Sequence, residues 1–374
     1  TTETTIVINV AGIPTSAPLQ AYSFYLEFDE NKVSIGDLLS FQNGGFLDDG
    51  AFQLHPVDGD LGKVQIAYTA HGVSDSVGGG KLATIPLNLL GVAGDVSLVL
   101  SGVELSTFDQ QYLIPAEVST TPVKLTLDPA VINTTHSDAG YCSLAQAVAA
   151  AVAGDNLKLV ADIAIPETVT IETELTLDLN GKTATIPTGG YGLEVTSTAG
   201  DLTITDTSVD ALGAITGGYN TVWVEAGATF TLDKGSLTGA LYGVGVVGEG
   251  STVNVDGGVI DSVYFAITGN GSTGLGGTII DIDGGTLSSD YTAIYVPQSG
   301  SVDISGGTII GHTGIEVRSG SLTISGGSIT ATGQYLHVPG TYSNGSLESG
   351  DAIFVNTNPD YAGDMVISIK IGSA

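Results

Sequence analysis

Between Thr221 and Val355 aliphatic and polar positions alternate with a period of two, in short bursts. One series holds Phe230 and Leu232, Val253 and Val255, Ile280 and Ile282, Val302 and Ile304, and Leu322 and Ile324. A second holds Val222 and Val224, Val244 and Val246, Ile294 and Val296, Ile315 and Val317, and Ile353 and Val355. Such alternation predicts short strands with one buried face. Glycine punctuates the bursts at Gly213, Gly235, Gly258, Gly285, Gly307 and Gly327, spacings of 22, 23, 27, 22 and 20 residues. The phrase SGSVDISGGTII, starting at Ser299, returns as SGSLTISGGSIT at Ser319. A repeat of this length marks a solenoid.

One such coil cannot close a core alone. Stacked at about 4.8 Å, each strand pairs with the coils above and below, and the aliphatic pairs form interior ladders. The pattern therefore predicts a parallel β-helix over residues 142–374. A leucine-rich repeat fits poorly, because the Leu/Asn framework and a helix per repeat are missing. The stretch SLAQAVAAAVAG reads as a capping helix over 143–154. Ser143 and Gln146 form a capping box, Gly154 suits the C′ position, and Leu144, Val148 and Val152 share a face. Such a helix would cover strand edges that otherwise invite aggregation.

Residues 1–127 lack the repeat. TTIVINV, AYSFYLEFD, GKVQIAYTA, KLATIPLNLLG and DVSLVLSGVEL alternate between varied turns, which predicts an all-β sandwich. Residues 128–141 would link the two domains.

Two resemblances follow from these stretches. The Ser-Leu-rich helix, the phrase TLDLNGKTATI and the SGGTI-type corners resemble the pectin-lyase-like right-handed β-helix family, in particular its adhesin-like surface proteins. AYSFYLEFDENKVSIGDLLS with GKVQIAYTA, GGGKLATIPL and GDVSLVLSGVEL resembles cohesin modules and related carbohydrate-binding jelly rolls. The first resemblance implies an extracellular or cell-surface rod; enzymes of that fold carry acidic clusters with calcium and a basic residue on an outer sheet. The second implies a scaffold module, and cohesins bind calcium-loaded dockerins. No duplicated dockerin loop occurs in this chain.

Composition narrows the function. Nine Lys+Arg against 40 Asp+Glu give a formal charge of −31, which repels nucleic acid and anionic lipid. No apolar run approaches the roughly 20 residues of a membrane span. Cys142 is the only cysteine and cannot form an internal disulfide. Sequons at Asn133, Asn270 and Asn344 are candidate glycosylation sites.

Candidate chemistry is sparse. Asp281 and Asp283 share a strand face, but Asp233, Asp256, Asp283, Ser305 and Ser325 occupy equivalent corners, where short polar side chains bond the turn. The structural reading is preferred to a catalytic or calcium-binding one. Glu316 and the sole arginine, Arg318, suggest an exposed ion pair; His136, His312 and His337 have no metal-ligand spacing. Positions between the inward pairs stack as Glu194, Trp223, Gly245, Thr268, Tyr295, Glu316, His337 and Phe354. Trp223, Tyr295, Glu316, His337 and Phe354 are the candidate interaction face, suited to sugar rings or a protein partner unless a loop covers them.

The alternating strands carrying Ile6 and Ile8 near one end, and Ile367, Ile369 and Ile371 near the other, are candidate assembly strands. Head-to-tail contact through them would propagate into a homopolymer. The expectation is a secreted, cell-surface or matrix protein without catalysis: a filament, sheath or surface-layer subunit, or an adhesin stalk. No cofactor is implied, although the acidic surface would permit calcium bridging. The alternatives are a carbohydrate-binding or polysaccharide-degrading β-helix and a cohesin-type scaffold for a dockerin partner.

Overall fold

The computed structural model describes residues 2–36, 38–47, 49–57, 60–90, 94–109, 112–113, 123–136, 138–196, 199–210, 212–272, 274–334 and 349–355. The chain divides into two compact units, Thr1–Asp128 and Pro129–Ala374.

The first unit is an antiparallel β-sandwich. One sheet pairs Thr2–Ile13, Val33–Ile35 and Gln42–Asn43 with the central strand Gly78–Leu89. The other runs Val123–Leu127, Gly94–Ser106, Ala21–Glu27, Asp60–Ala70 and Gly50–Val57, with Tyr112–Leu113 added to Gly94–Ser106. Period-two alternation turns Tyr22, Phe24 and Leu26 inward to meet Val64, Ile66, Tyr68, Ile85 and Leu87. Ile6 and Ile8 also pack onto this core from the edge strand. They are core residues here, and only the outward side chains of that strand, such as Val7, are exposed. The partner candidates Ile367, Ile369 and Ile371 lie outside the described residues.

The second unit is a parallel β-solenoid of about eight turns. Its first sheet stacks Asp155–Leu159, Leu175–Asp178, Asp201–Thr205, Thr229–Leu232, Thr252–Val255, Thr278–Ile282, Gly300–Ile304 and Ser321–Ile324. Equivalent aliphatics meet in register: Phe230 with Val253, Ile280 and Val302, then Leu322. All five are at most 1 % exposed. The second aliphatic series stacks likewise from Val222 to Ile315. On the last described rung Ile353 is half-buried and Val355 exposed. Burial of this kind contributes about 25 cal/mol per Å² of apolar surface, which makes the interior ladders the dominant stabilising term.

The repeated Ser-Gly-Gly corners now have a physical reason. At Gly306 a Cβ would run into the carbonyl oxygen of Asp283 on the preceding turn, and Gly307 has φ +80°. One glycine permits close backbone approach and the next permits the left-handed bend. The polar residues of these corners bond their neighbours, as Ser305 Oγ does to Asp283 Oδ1 and Thr205 Oγ1 does to Asp233 Oδ2 (2.7 Å).

The 128–141 stretch, expected as a linker, contains strands. Val131–Asn133 and Ala139–Tyr141 form a hairpin whose first strand pairs antiparallel with Asp155–Leu159, extending the first sheet. The helix spans Leu144–Ala150 only. Ser143 caps it, accepting from Gln146 N, and Leu144, Ala147 and Val148 enter the solenoid core. The end predicted at Gly154 falls earlier, at Ala151, and Val152 is exposed rather than on the buried face. Asp155 accounts for the shortening: its carboxylate accepts from Val152 N (2.9 Å) and draws the chain out of the helix.

The same carboxylate organises the hairpin. Asp155 also accepts from Asn133 Nδ2 (2.7 Å) and pairs with His136 Nδ1 (2.7 Å). Burial alone would raise its pKa, but these donors outweigh burial and hold it below the usual carboxylate range. Asn133 is therefore a buried structural residue, with its amide nitrogen committed, and the glycan expected there has no place. Asn270 is half-exposed in a turn, where its side chain accepts from Ser272 N; Asn344 lies outside the described residues.

Candidate aromatic groove

Parallel pairing in register puts one residue of each coil directly over its counterpart. On the second sheet this produces the row Glu194, Trp223, Gly245, Thr268, Tyr295, Glu316 and Phe354. The row matches the sequence expectation except at one point. Phe354 pairs directly with Glu316, and His337, expected between them, lies outside the described residues.

Exposure differs from expectation along this row. Trp223 is half-buried, whereas Tyr295 is 6 % exposed and Glu316 is wholly buried. Arg318 is also buried, so the expected exposed ion pair is an interior one. Its Nε stands 3.9 Å from Glu316 Oε1, and its Nη1 donates to the Tyr295 hydroxyl at 3.3 Å. Two desolvated charges must compensate each other and gain hydrogen bonds; removing either partner alone is costly.

A second row, unread in the sequence, runs beside the first. A tyrosine or phenylalanine precedes the inward aliphatic pair on successive coils: Tyr191, Tyr219, Tyr242, Tyr264 with Phe265, and Tyr291. Ring centroids are 5.5 Å apart from Tyr191 to Tyr219 and 5.0 Å from Tyr219 to Tyr242. The ladder then forks. One branch goes to Tyr264 (5.8 Å) and Tyr291 (4.8 Å), the other to Phe265 (5.6 Å) and Tyr295 (5.0 Å). The strand spacing of about 4.8 Å falls within the separation that aromatic pairs prefer, so the coil repeat itself creates the ladder. Burial and the hydrogen bond with Tyr219 push the Tyr242 phenol up to about 12, so it is a neutral hydroxyl at physiological pH.

The two rows enclose a groove of about 620 Å³. Tyr191, Tyr219, Tyr242, Phe265, Tyr295 and Trp223 supply its apolar lining. Glu194, Asn220, Thr168 and Thr268 supply polar groups. The Trp223 indole lies over Gly245, where any Cβ would collide with the ring. Asn220 is 5 % exposed and its Oδ1 has no hydrogen-bond partner among the described residues.

The opposite chemistry lies on the first sheet. Asp281 and Asp303 are register neighbours beside Asp283, and the three line a small polar hollow with Asn254 and Thr323. Burial, then the charges of Asp303 and Asp283, raise the pKa of Asp281. The described residues bring no three His, Cys, Asp or Glu side chains into a metal-binding group.

No family model matches the chain, and no curated protein matches it. Its N-terminal part is similar to solved cohesin modules. A non-cellulosomal cohesin from the hyperthermophilic archaeon Archaeoglobus fulgidus shares 13 % identity, with 34 % of this chain and 80 % of that one covered and a TM-score of 0.26. CaCohA2 from Clostridium acetobutylicum shares 17 %, covering 33 % and 81 %, with a TM-score of 0.28. The seventh ScaB type I cohesin from Pseudobacteroides cellulosolvens shares 18 %, covering 34 % and 82 %, with a TM-score of 0.28. Among the described residues no helix is long and apolar enough to cross a membrane.

Proposed function

We propose that this chain is a non-enzymatic adhesive protein of the extracellular space, whose solenoid holds an aromatic groove open for an extended saccharide. The observation that carries this reading is the run of stacked rings along the groove. Sugar rings present C–H faces to aromatic faces and hydroxyls to the polar rim. Glu194 and Thr168 supply such a rim. A stiff wall is suited to this task, because the rings are ordered before the ligand arrives and little entropy is lost on binding. The described lining residues carry no cation, which favours holding over acid–base or eliminative chemistry that needs charge stabilisation at the reacting sugar.

Isothermal calorimetry of the full chain against a linear β-1,4-linked glucose hexamer tests the reading. Saturable binding should weaken about fivefold in Trp223→Ala, the value of roughly 1 kcal/mol per aromatic contact. Binding that ignores Trp223→Ala and Tyr242→Ala alike would place the ligand elsewhere and end the proposal.

A second reading is assembly into a polymer. It is supported by the edge strand Thr2–Ile13, which among the described residues pairs on one side only and exposes Val7. Sedimentation of the chain and of Val7→Lys would separate a polymer that dissolves on substitution from a monomer indifferent to it.

A further inference from the structure

The groove contains one charged side chain among its described lining residues, Glu194. It is half-buried on Tyr191–Val195, with Thr170 before it and Trp223 after it in register. None of the ion pairs formed among the described residues involves Glu194. The chain has few cations to spare, and its only arginine is buried against Tyr295 and does not line the groove. An acid placed among aromatic rings complements an organic ammonium. The carboxylate supplies charge and accepts an N–H, and the ring faces supply cation–π attraction.

Resting on the saccharide reading above, we propose that the groove selects a glycan bearing unacetylated amino sugars, with one ammonium held between Glu194 and the Trp223 ring beside it in register. Three observations separate this from other occupants. The described lining residues include no Lys or Arg, so a uronate carboxylate would be desolvated among them without a partner. The ring row spans coils from Tyr191 to Tyr295, about 20 Å at the strand spacing, which is too long for a single small amine. A pyranose also advances a β-linked chain by nearly one coil spacing, so consecutive sugars meet consecutive rings.

The test compares four hexamers by calorimetry with the full chain: β-1,4-linked glucosamine, N-acetylglucosamine and glucose, and α-1,4-linked galacturonate. Choline, with its trimethylammonium group, serves as the small-cation control. Glucosamine hexamer should bind about tenfold tighter than glucose hexamer, a difference within the cation–π and ion-pair range. Galacturonate should not bind, and choline should bind far more weakly than either.

A chain of charge −31 attracts any polycation, so the decisive number is a ratio. Glu194→Gln removes one charge among many, yet it should cut the glucosamine-to-glucose preference to within about twofold. If the preference survives Glu194→Gln, the attraction is general and the inference fails. It fails equally if the neutral hexamers bind as well as glucosamine, although the saccharide reading then stands. If no hexamer binds, both fall. If choline binds as tightly as the glucosamine hexamer, the groove is a small-ammonium site and the glycan assignment is wrong.

Discussion

Two outward surfaces of the solenoid are built on one interior and share almost nothing else. Behind both, Val, Ile, Leu and Phe stack coil on coil with side chains nearly inaccessible to solvent. Outside, the first sheet carries Asn254, Asp281, Asp303 and Thr323 in one register row. The second carries Glu194, Trp223, Thr268 and Tyr295, flanked by the tyrosine ladder. Stacking in register multiplies whatever a coil displays. When it displays a carboxylate, the repeat brings like charges together and costs stability; when it displays a ring, the repeat builds an aromatic wall. The interior fixes the fold, and the outer positions are at liberty to carry function.

The harshest way to probe the comparison is to damage the shared interior. Phe230→Ala should cost about 3–5 kcal/mol, measured by urea unfolding, because it opens a cavity that parallel neighbours cannot fill. Both outer faces should suffer together. A loss below 1 kcal/mol would mean that the rungs are not packed as described.

Acid should act next, and in opposite directions on different carboxylates. Asp155, Asp178 and Asp206 each resist the penalty of burial through several hydrogen bonds and have lowered pKa values. Their stabilisation is present above the ordinary carboxylate range and is lost as pH falls through their folded values. Asp281 has a raised value, so its cost to folding grows as pH rises through its ordinary value and is full at neutral pH. Asp281→Asn should therefore raise Tm at neutral pH and change little in acid, whereas Asp155→Asn should lower Tm at neutral pH. A neutral-pH Tm unchanged by Asp281→Asn would remove the contrast between the two faces.

A smaller and more local effect is expected at Gly245. Gly245→Ala must displace the Trp223 indole, so tryptophan emission should shift and glucose-hexamer affinity should drop severalfold, with thermal stability altered by less than about 1 kcal/mol. Unchanged emission would show that the indole does not rest on that glycine.

Much of this architecture was legible in residue order, for a definite reason. A parallel solenoid repeats its contacts at the coil period, so the inward pairs from Val222 to Leu322 announce themselves as periodic aliphatics. The Ser143–Gln146 cap was legible because it is a local hydrogen-bond pattern. Other features depended on three-dimensional company. Nothing near Asn133 in sequence indicates that Asp155 takes its amide, and nothing near Arg318 indicates that it is buried with Glu316. Val152 has the right helical spacing, yet the pull of Asp155 ends the helix before it. The tyrosine ladder was visible in principle, at the same period as the glycines. A search for aliphatic pairs passes over it, because these aromatics stand just before those pairs, at strand starts or inside longer strands.

The account turns on whether the ring-lined wall engages sugar. Trp223 is the only tryptophan in the chain, so its fluorescence reports on that wall alone. Titration with the linear β-1,4-glucose hexamer should give a saturable change in emission that disappears in Tyr242→Ala and weakens in Tyr219→Ala. Emission that stays flat to millimolar hexamer, in a chain whose circular dichroism shows an intact β-solenoid, would contradict the account.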